Sequence, residues 1–256
     1  MLELDAARSG KVLVIGHRGA AGHAPENTMA SFQKGLELGA DLIELDIHMT
    51  RDGALVVMHD GDVSRTTNGR GRIKEMTLAQ IKELDAGAWF DPRFRGERVP
   101  TLSEVLEWAK GRIPLVVEIK GDPLPARGIE EELLGMLRTR DMVDSVMAIS
   151  FHHPSVRRLK ELEPALATGI LYTGRLVDPV AAARAALADS VRPAWSYWTR
   201  EDVEAVHAAG LTASAWNADD EAVMEHLVGL GLDSIGSNYP DRLRAFLDAR
   251  GLGWQR

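Results

Sequence analysis

The chain of 256 residues contains no cysteine. Disulfides and thiolate metal centres are excluded, so any bound metal must be held by oxygen or imidazole. Aromatic residues make up only 5% of the chain, and no basic run interleaved with aromatics occurs. That argues against nucleic acid as a partner. No apolar stretch approaches the length that spans a bilayer. The first residues, MLELDAARSGKVLVIGHRG, carry acids early and only a short apolar run. Neither a signal peptide nor a membrane anchor is expected, and the cytoplasm is the default setting. No GxGxxG follows the first apolar segment, which leaves a dinucleotide role unsupported. Low-complexity segments and short repeats are also missing. What remains is ordinary globular composition, 45% hydrophobic and 27% charged with a net charge of −8, long enough for a large core.

The stretch from Gly39 to Asp60, GADLIELDIHMTRDGALVVMHD, organises the rest. It begins as a strand, yet its interior carries Glu44 and Asp46. Residues two apart on a strand share a face, so the two carboxylates point together while Leu45 and Ile47 take the other side. After the turn Thr50-Arg51-Asp52-Gly53, a second apolar run, Ala54 to Met58, delivers His59 and Asp60. Two carboxylates crowded in a partly dry site repel, and one takes up a proton unless a cation keeps both ionised.

Along the chain, Val12 to Gly16 reads as a short buried strand ending in His17-Arg18-Gly19. Asn27 and Thr28 are candidate caps for a helix over 29–38. Residues 61–100 are rich in turn formers, with one short helix over 78–84, and read as an insertion over one end of the main domain. A repeating pattern follows. Thr101 caps a helix to Lys110, and strands are expected at 115–120, 146–150, 166–171, 211–216 and 233–236, with a doubtful one at 191–195. Helices lie between them, at about 126–139, 154–162, 178–188, 201–209 and 219–230, and a last one begins after Pro240. About eight strand-then-helix units in single file point to a parallel α/β sheet closed as a (β/α)₈ TIM barrel, a single domain over 1–256 with a small insertion after strand two. A doubly wound open sheet is the alternative.

In such barrels the active site lies at the carboxyl ends of the strands. His17, Glu44, Asp46, His59, Glu118, Lys120, Trp216, Ser237 and Asn238 all fall there. Three carboxylates without thiolates favour a hard divalent cation, Mg²⁺ or Ca²⁺, on Glu44, Asp46 and Glu118. The competing reading pairs these acids with Lys120 and Arg18 in a salt-bridge network, which gives weak stability benefit in an interior. His17 and His59 are candidates for acid and base. Arg18, as a fork, and Lys120, as a point charge, suit a phosphate. Trp216 packs on an apolar or cationic part of a substrate, or is a core aromatic at the rim. His48 reads as a packed neighbour of the carboxylates, and His152, His153, His207 and His226 as structural or exposed. His23 stays undecided.

These residues occur in a recognisable order. His17-Arg18-Gly19, Pro25-Glu26-Asn27-Thr28, Gly39-Ala40-Asp41, Glu44-Leu45-Asp46, Asp52-Gly53, His59-Asp60, Arg65-Thr66-Thr67, Val99-Pro100-Thr101-Leu102, Glu104-Val105-Leu106, Glu118-Ile119-Lys120 and Asn238-Tyr239-Pro240-Asp241 together resemble the glycerophosphodiester phosphodiesterase family over nearly the whole chain. The resemblance implies a (β/α)₈ barrel and a divalent metal on Glu44, Asp46 and Glu118. It also implies His17 and His59 as the acid–base pair, with Arg18 and Lys120 on the phosphate. The implied substrates are small glycerophosphodiesters, such as glycerophosphocholine or glycerophosphoethanolamine, cleaved to glycerol 3-phosphate and an alcohol. A related phospholipase of the lysophospholipase D or sphingomyelinase D kind, forming a cyclic phosphate at a membrane, is the alternative; it would need an apolar rim such as Trp89, Phe90 and Phe94. Two stretches depart from the family pattern. Trp216-Asn217-Ala218-Asp219 stands where Trp-Thr-Val-Asn is usual, and Ser237-Asn238 where Thr-Asp is common. Both are expected across the barrel from the carboxylates, bearing on headgroup preference more than on the phosphodiester chemistry.

Overall fold

The computed structural model describes residues 9–121 and 123–254. Residues 1–8, part of the stretch expected to carry no signal peptide or anchor, lie outside the described residues. The elements alternate in single file: β1 (Leu13–Gly16), α1 (Met29–Glu37), β2 (Leu42–Met49), β3 (Leu55–Val57), α2 (Leu78–Lys82), α3 (Leu102–Ala109), β4 (Leu115–Ile119), α4 (Ile129–Arg140), β5 (Val146–Ser150), α5 (His153–Leu162), β6 (Ala167–Tyr172), α6 (Pro179–Ala185), β7 (Ser190–Pro193), α7 (Arg200–Ala208), β8 (Thr212–Ala215), α8 (Glu221–Leu230), β9 (Ser234–Ser237) and α9 (Pro240–Asp248).

The sheet runs β1-β9-β8-β7-β6-β5-β4-β2, and β1 also pairs with β2. The ring of eight parallel strands is therefore closed, and the open doubly wound alternative is set aside. The ninth strand, β3, pairs antiparallel to β2 and folds the apolar run 54–58 back over it. The interior of the ring holds Leu13, Ile15, Leu42, Val116, Met147, Ile149 and Leu171. Outside it, apolar side chains of strands and helices form two larger clusters, one around Phe32, Leu45 and Leu106, the other around Val14, Val206 and Leu243. Each buried Leu or Ile contributes about 1.5–3 kcal/mol.

Local chemistry sets the boundaries. Thr101 and Glu104 form a reciprocal capping box at the start of α3, a motif legible as Thr-x-x-Glu. Thr28 caps α1, but Asn27 does not share that task; with φ 58 it turns inward to Asp46. The doubtful strand at 191–195 forms one position earlier and ends at Pro193. Trp216 lies just beyond β8 and bridges to Ala194. The insertion between β3 and α3 packs on its own small core of Val56, Met58, Val63, Ile73, Ile81, Ala86 and Val99. No helix among the described residues is long and apolar enough to cross a membrane.

Candidate active site

The barrel register explains why the acids meet. Asp46 of β2 and Glu118 of β4 are direct neighbours across the parallel pair, and Glu44 lies two residues earlier on the same face. One oxygen from each of Glu44, Asp46 and Glu118 lies within 4.8 Å of the others, and all three residues are buried. Oxygens on opposite sides of a hard cation stand about 4–5 Å apart, twice a 2.0–2.6 Å bond. The set is all oxygen, and the buried Asp46 Oδ1 has no hydrogen bond among the described residues. These residues fit a hard divalent cation.

Two cations flank the acids. Lys120 Nζ lies 2.8 Å from Glu118 Oε1 and 3.4 Å from Asp46 Oδ1. Arg18 reaches Glu26 at 2.7 Å, and its Nε stands 3.3 Å from Asp46 Oδ2. The salt-bridge network anticipated as the competing reading is thus present, and among the described residues it leaves Asp46 Oδ1 without a hydrogen bond. Three carboxylates against two fixed cations leave a negative charge that a divalent ion would turn positive, ready for an anionic ester.

The carboxyls respond unequally. Burial, then repulsion from Asp46 and Glu118, pushes Glu44 well above the usual range. Glu118 is pushed up to about 7 by burial and by Asp46, with Lys120 acting against the rise. Burial also opposes ionisation of Asp46, but Lys120, Arg18 and His59 outweigh it and hold that carboxyl low. Asn27 adds a hydrogen bond to Asp46 Oδ2 at 2.7 Å.

The loop after β1 is shaped by its backbone. Arg18 adopts φ 50, and its N–H donates to Glu44 Oε2 at 2.9 Å. At Gly19, φ is +92, and a Cβ there would stand 2.4–2.5 Å from Ser31. Only glycine fits this close approach. Ser31 in turn donates to Arg18 O and accepts from Ala20 N.

Both histidines line one cavity with Arg18, Glu44, Glu118 and Lys120. His17 Nδ1 faces Asn238 Oδ1 at 2.7 Å, and its Nε2 lies 4.0 Å from Glu44. Burial and the neighbouring Arg18 push its pKa down to about 4. His59 Nδ1 bonds Asp60 at 2.6 Å, and His48 contacts the His59 carbonyl at 3.1 Å, as expected of a packed neighbour. Burial lowers the pKa of both His59 and His48. Ile15, Ile149, Leu171 and Trp216 form the apolar wall of the cavity. Trp216 donates to Arg192 O at 3.0 Å and meets Phe151 edge-on at 5.7 Å, so it is both a packed aromatic and a cavity wall. His23 pairs with Asp241 at 2.8 Å. His152, His153 and His207 hold Ser155, Leu171 O and Asp233, as structural residues do.

One expectation needs extending, that the stretches after β8 and β9 bear on the headgroup more than on the chemistry. β8 stands across the ring from β4, and closure also places β9 beside β1, so the residues after β8 and β9 border His17 as well. Asn217 Nδ2 lies 3.1 Å from His17 Nδ1, and Asp219 holds Asn238. Asn217, Asp219 and Asn238 bear on His17 itself. The residues alone also gave no place in the site to Glu26, Asp60 or Arg65, and read Asn27 only as a helix cap. The signal at Asn27 was a spare cap residue beside Thr28, since a helix uses one N-cap. The aromatic rim required by the lipid-directed alternative is slight. Of Trp89, Phe90 and Phe94 only Trp89 is exposed, and Phe90 meets the other two edge-on at 5.7 and 5.8 Å.

Fixed cations above an acidic cluster, at the carboxyl ends of a closed parallel ring, define the class as a (β/α)₈ barrel hydrolase of phosphate esters. The model of the glycerophosphoryl diester phosphodiesterase family matches residues 17–242, and the chain belongs to that family as a glycerophosphodiester phosphodiesterase. It is 42% identical over 234 residues to a glycerophosphodiester phosphodiesterase of Caldanaerobacter subterraneus subsp. tengcongensis, covering 91% of this chain and 96% of that one. It is 34% identical to a glycerophosphodiester phosphodiesterase of Bacillus subtilis, covering 90% and 85%. Its fold superposes on an Oleispira antarctica phosphodiesterase solved with the product sn-glycerol-3-phosphate, with a TM-score of 0.86, 31% identity and coverage of 94% and 99%.

Proposed function

We propose that the chain, acting as one phosphodiesterase domain with the cytoplasm as its default setting, hydrolyses small glycerophosphodiesters such as glycerophosphocholine or glycerophosphoethanolamine to glycerol 3-phosphate and an alcohol, in a metal-dependent reaction. The observation that carries this reading is the convergence of Glu44, Asp46 and Glu118 within 4.8 Å beside two imidazoles on one cavity. The product complex of the Oleispira relative supports glycerol 3-phosphate as the product.

In this reading Glu44, Asp46 and Glu118 hold Mg²⁺ or Ca²⁺. A cation bound there supplies Lewis-acid neutralisation of the phosphodiester charge. Arg18 and Lys120 take the phosphate oxygens, and their ion pairs to Glu26 and Glu118 keep both heads aimed into the cavity. His17 and His59 each have Nδ1 engaged, by Asn238 and Asp60, which leaves Nε2 for proton transfer. One imidazole takes the proton of the attacking oxygen, and the other protonates the departing alcohol as its bond to phosphorus breaks. Trp216 walls the organic end of the substrate.

The test is a panel of glycerophosphodiesters offered to chelated enzyme reconstituted with Mg²⁺, Ca²⁺ or Mn²⁺, reading released glycerol 3-phosphate. Activity is expected to vanish on chelation and return with metal. His17→Ala and His59→Ala are each expected to lose about 10²–10⁴-fold in kcat. Full activity after exhaustive chelation would remove the three acids from this role, and full activity in both histidine variants would end the acid–base assignment.

A further inference from the structure

We propose that Asp219, acting through Asn238, is the positioning residue that fixes the tautomer and direction of the His17 ring. Asp219 follows β8, Asn238 follows β9 and His17 follows β1, so the closure of the ring stacks them side by side. Asn238 is held at four points. Its carbonyl accepts from Gly22 N at 2.9 Å. Its backbone N–H donates to Asp219 Oδ1 at 2.8 Å, and its side-chain NH₂ donates to Asp219 Oδ2 at 2.6 Å. Its Oδ1 faces His17 Nδ1 at 2.7 Å. Ser237 adds a third donor to Asp219, at 3.0 Å.

The donor and acceptor inventory then leaves one arrangement. An ionised carboxylate only accepts. Turning the Asn238 amide over would set its oxygen against Asp219 at 2.6 Å, two acceptors in contact, with neither satisfied. So Asn238 Oδ1 points to His17, and His17 Nδ1 carries the hydrogen. The neutral ring then has its lone pair on Nε2, the nitrogen that faces Glu44 and the cavity. Asn217 turns its NH₂ to the same nitrogen, and of the two amides it is the one that no carboxylate among the described residues fixes. Its Nδ2 cannot donate to a nitrogen that is itself donating, and its Oδ1 is buried without a partner among the described residues. Turned over, Asn217 Oδ1 becomes a second acceptor for the His17 proton.

The tautomer claim stands on geometry alone; its effect on rate rests on the reading of His17 as an acid–base group. The experiment compares wild type, D219N, N238D and the exchanged double variant D219N/N238D. ¹⁵N shifts of the His17 ring report the tautomer, and kcat and KM are measured with saturating Mg²⁺. Melting temperatures control for folding. Wild type is expected to show hydrogen on Nδ1. D219N should populate both tautomers and lose kcat by roughly 10–10²-fold, less than removal of the imidazole, with KM little changed. N238D sets two carboxylates face to face and should be the poorest protein. In the double variant the carboxylate now at position 238 accepts from His17 and from the amide now at position 219. The oxygen of that amide accepts from the backbone N–H of position 238. The polarity of the chain is restored, and both tautomer and kcat should recover to within a few-fold of wild type. Hydrogen on Nε2 in wild type, an unchanged tautomer in D219N, or a double variant no better than the singles would overturn the proposal. A shifted tautomer with unchanged kcat would uphold the positioning and remove His17 from the chemistry, so the two failures are distinguishable.

Discussion

His17 and His207 carry the same ring into opposite environments. His17 is pushed down to about 4 by burial and Arg18. Its unfolded form binds a proton below about 6.5 while the folded form does not, so His17 makes the fold less stable as pH falls through that interval. His207 on α7 instead bonds the buried Asp233 at 2.9 Å, and that partner raises its pKa. A raised folded pKa means the stabilisation is fully present below the unfolded value and is lost as pH rises through the folded one. The His207 side chain is 38% exposed, so solvent screening holds the effect under about 1 kcal/mol. His207→Gln is therefore expected to lose more stability relative to wild type at pH 5.5 than at pH 8.5, measured by urea denaturation at both. An equal loss at the two pH values would show that the pairing carries no charge.

Arg65 joins two elements that the sequence keeps far apart. From the insertion it forks to Asp60 at 2.6 Å and to Glu26 at 2.7 and 3.0 Å. Asp60 holds His59, and Glu26 holds Arg18. One guanidinium thus sets the loop after β1 against the loop after β3, and Arg65 with His59 pulls the Asp60 carboxyl down to about 2. Isolated exposed pairs contribute little, but a bidentate network behind a site acts on geometry. Arg65→Ala is expected to lower kcat about tenfold, the lower part of the range for misplaced catalytic groups, with a small change in melting temperature; kcat equal to wild type would exclude the role. Elements with local chemistry were legible: the Thr101–Glu104 capping box, the paired carboxylates of β2, the Pro240 start of α9. β7 was not, because Ser190-Val191-Arg192-Pro193 lacks the apolar run of a buried strand. Its polar side chains are satisfied inside the ring, with Arg192 on Ser190 Oγ at 3.2 Å, and that pairing depends on tertiary structure.

Across the whole molecule the serial strand–helix order made the barrel legible, whereas its closure brings together residues that order alone holds apart. His17 and Asn238 are 221 positions distant and 2.7 Å apart. No local pattern encodes that contact, and for that reason the bearing of the residues after β8 and β9 on His17 was not legible. The acidic cluster has a similar global consequence. It brings Glu44 and Asp46 of β2 to Glu118 of β4, and the closed ring holds those strands together, so a cation bound there binds the folded chain and not the unfolded one. Mass action then stabilises the fold by about 2.7 kcal/mol at a metal concentration one hundred times Kd. For a chain of this size each kcal/mol moves the melting temperature by about 2–4 °C, so a rise of roughly 5–10 °C is expected between excess chelator and saturating Mg²⁺ or Ca²⁺. Asp46→Asn should abolish most of that rise, because it removes the carboxylate that Lys120 and Arg18 keep ionised. Identical melting curves of the wild-type protein in chelator and in millimolar Mg²⁺, Ca²⁺ and Mn²⁺ would mean that the two cationic side chains and a proton on Glu44 neutralise the cluster, and the metal would have no place in this barrel.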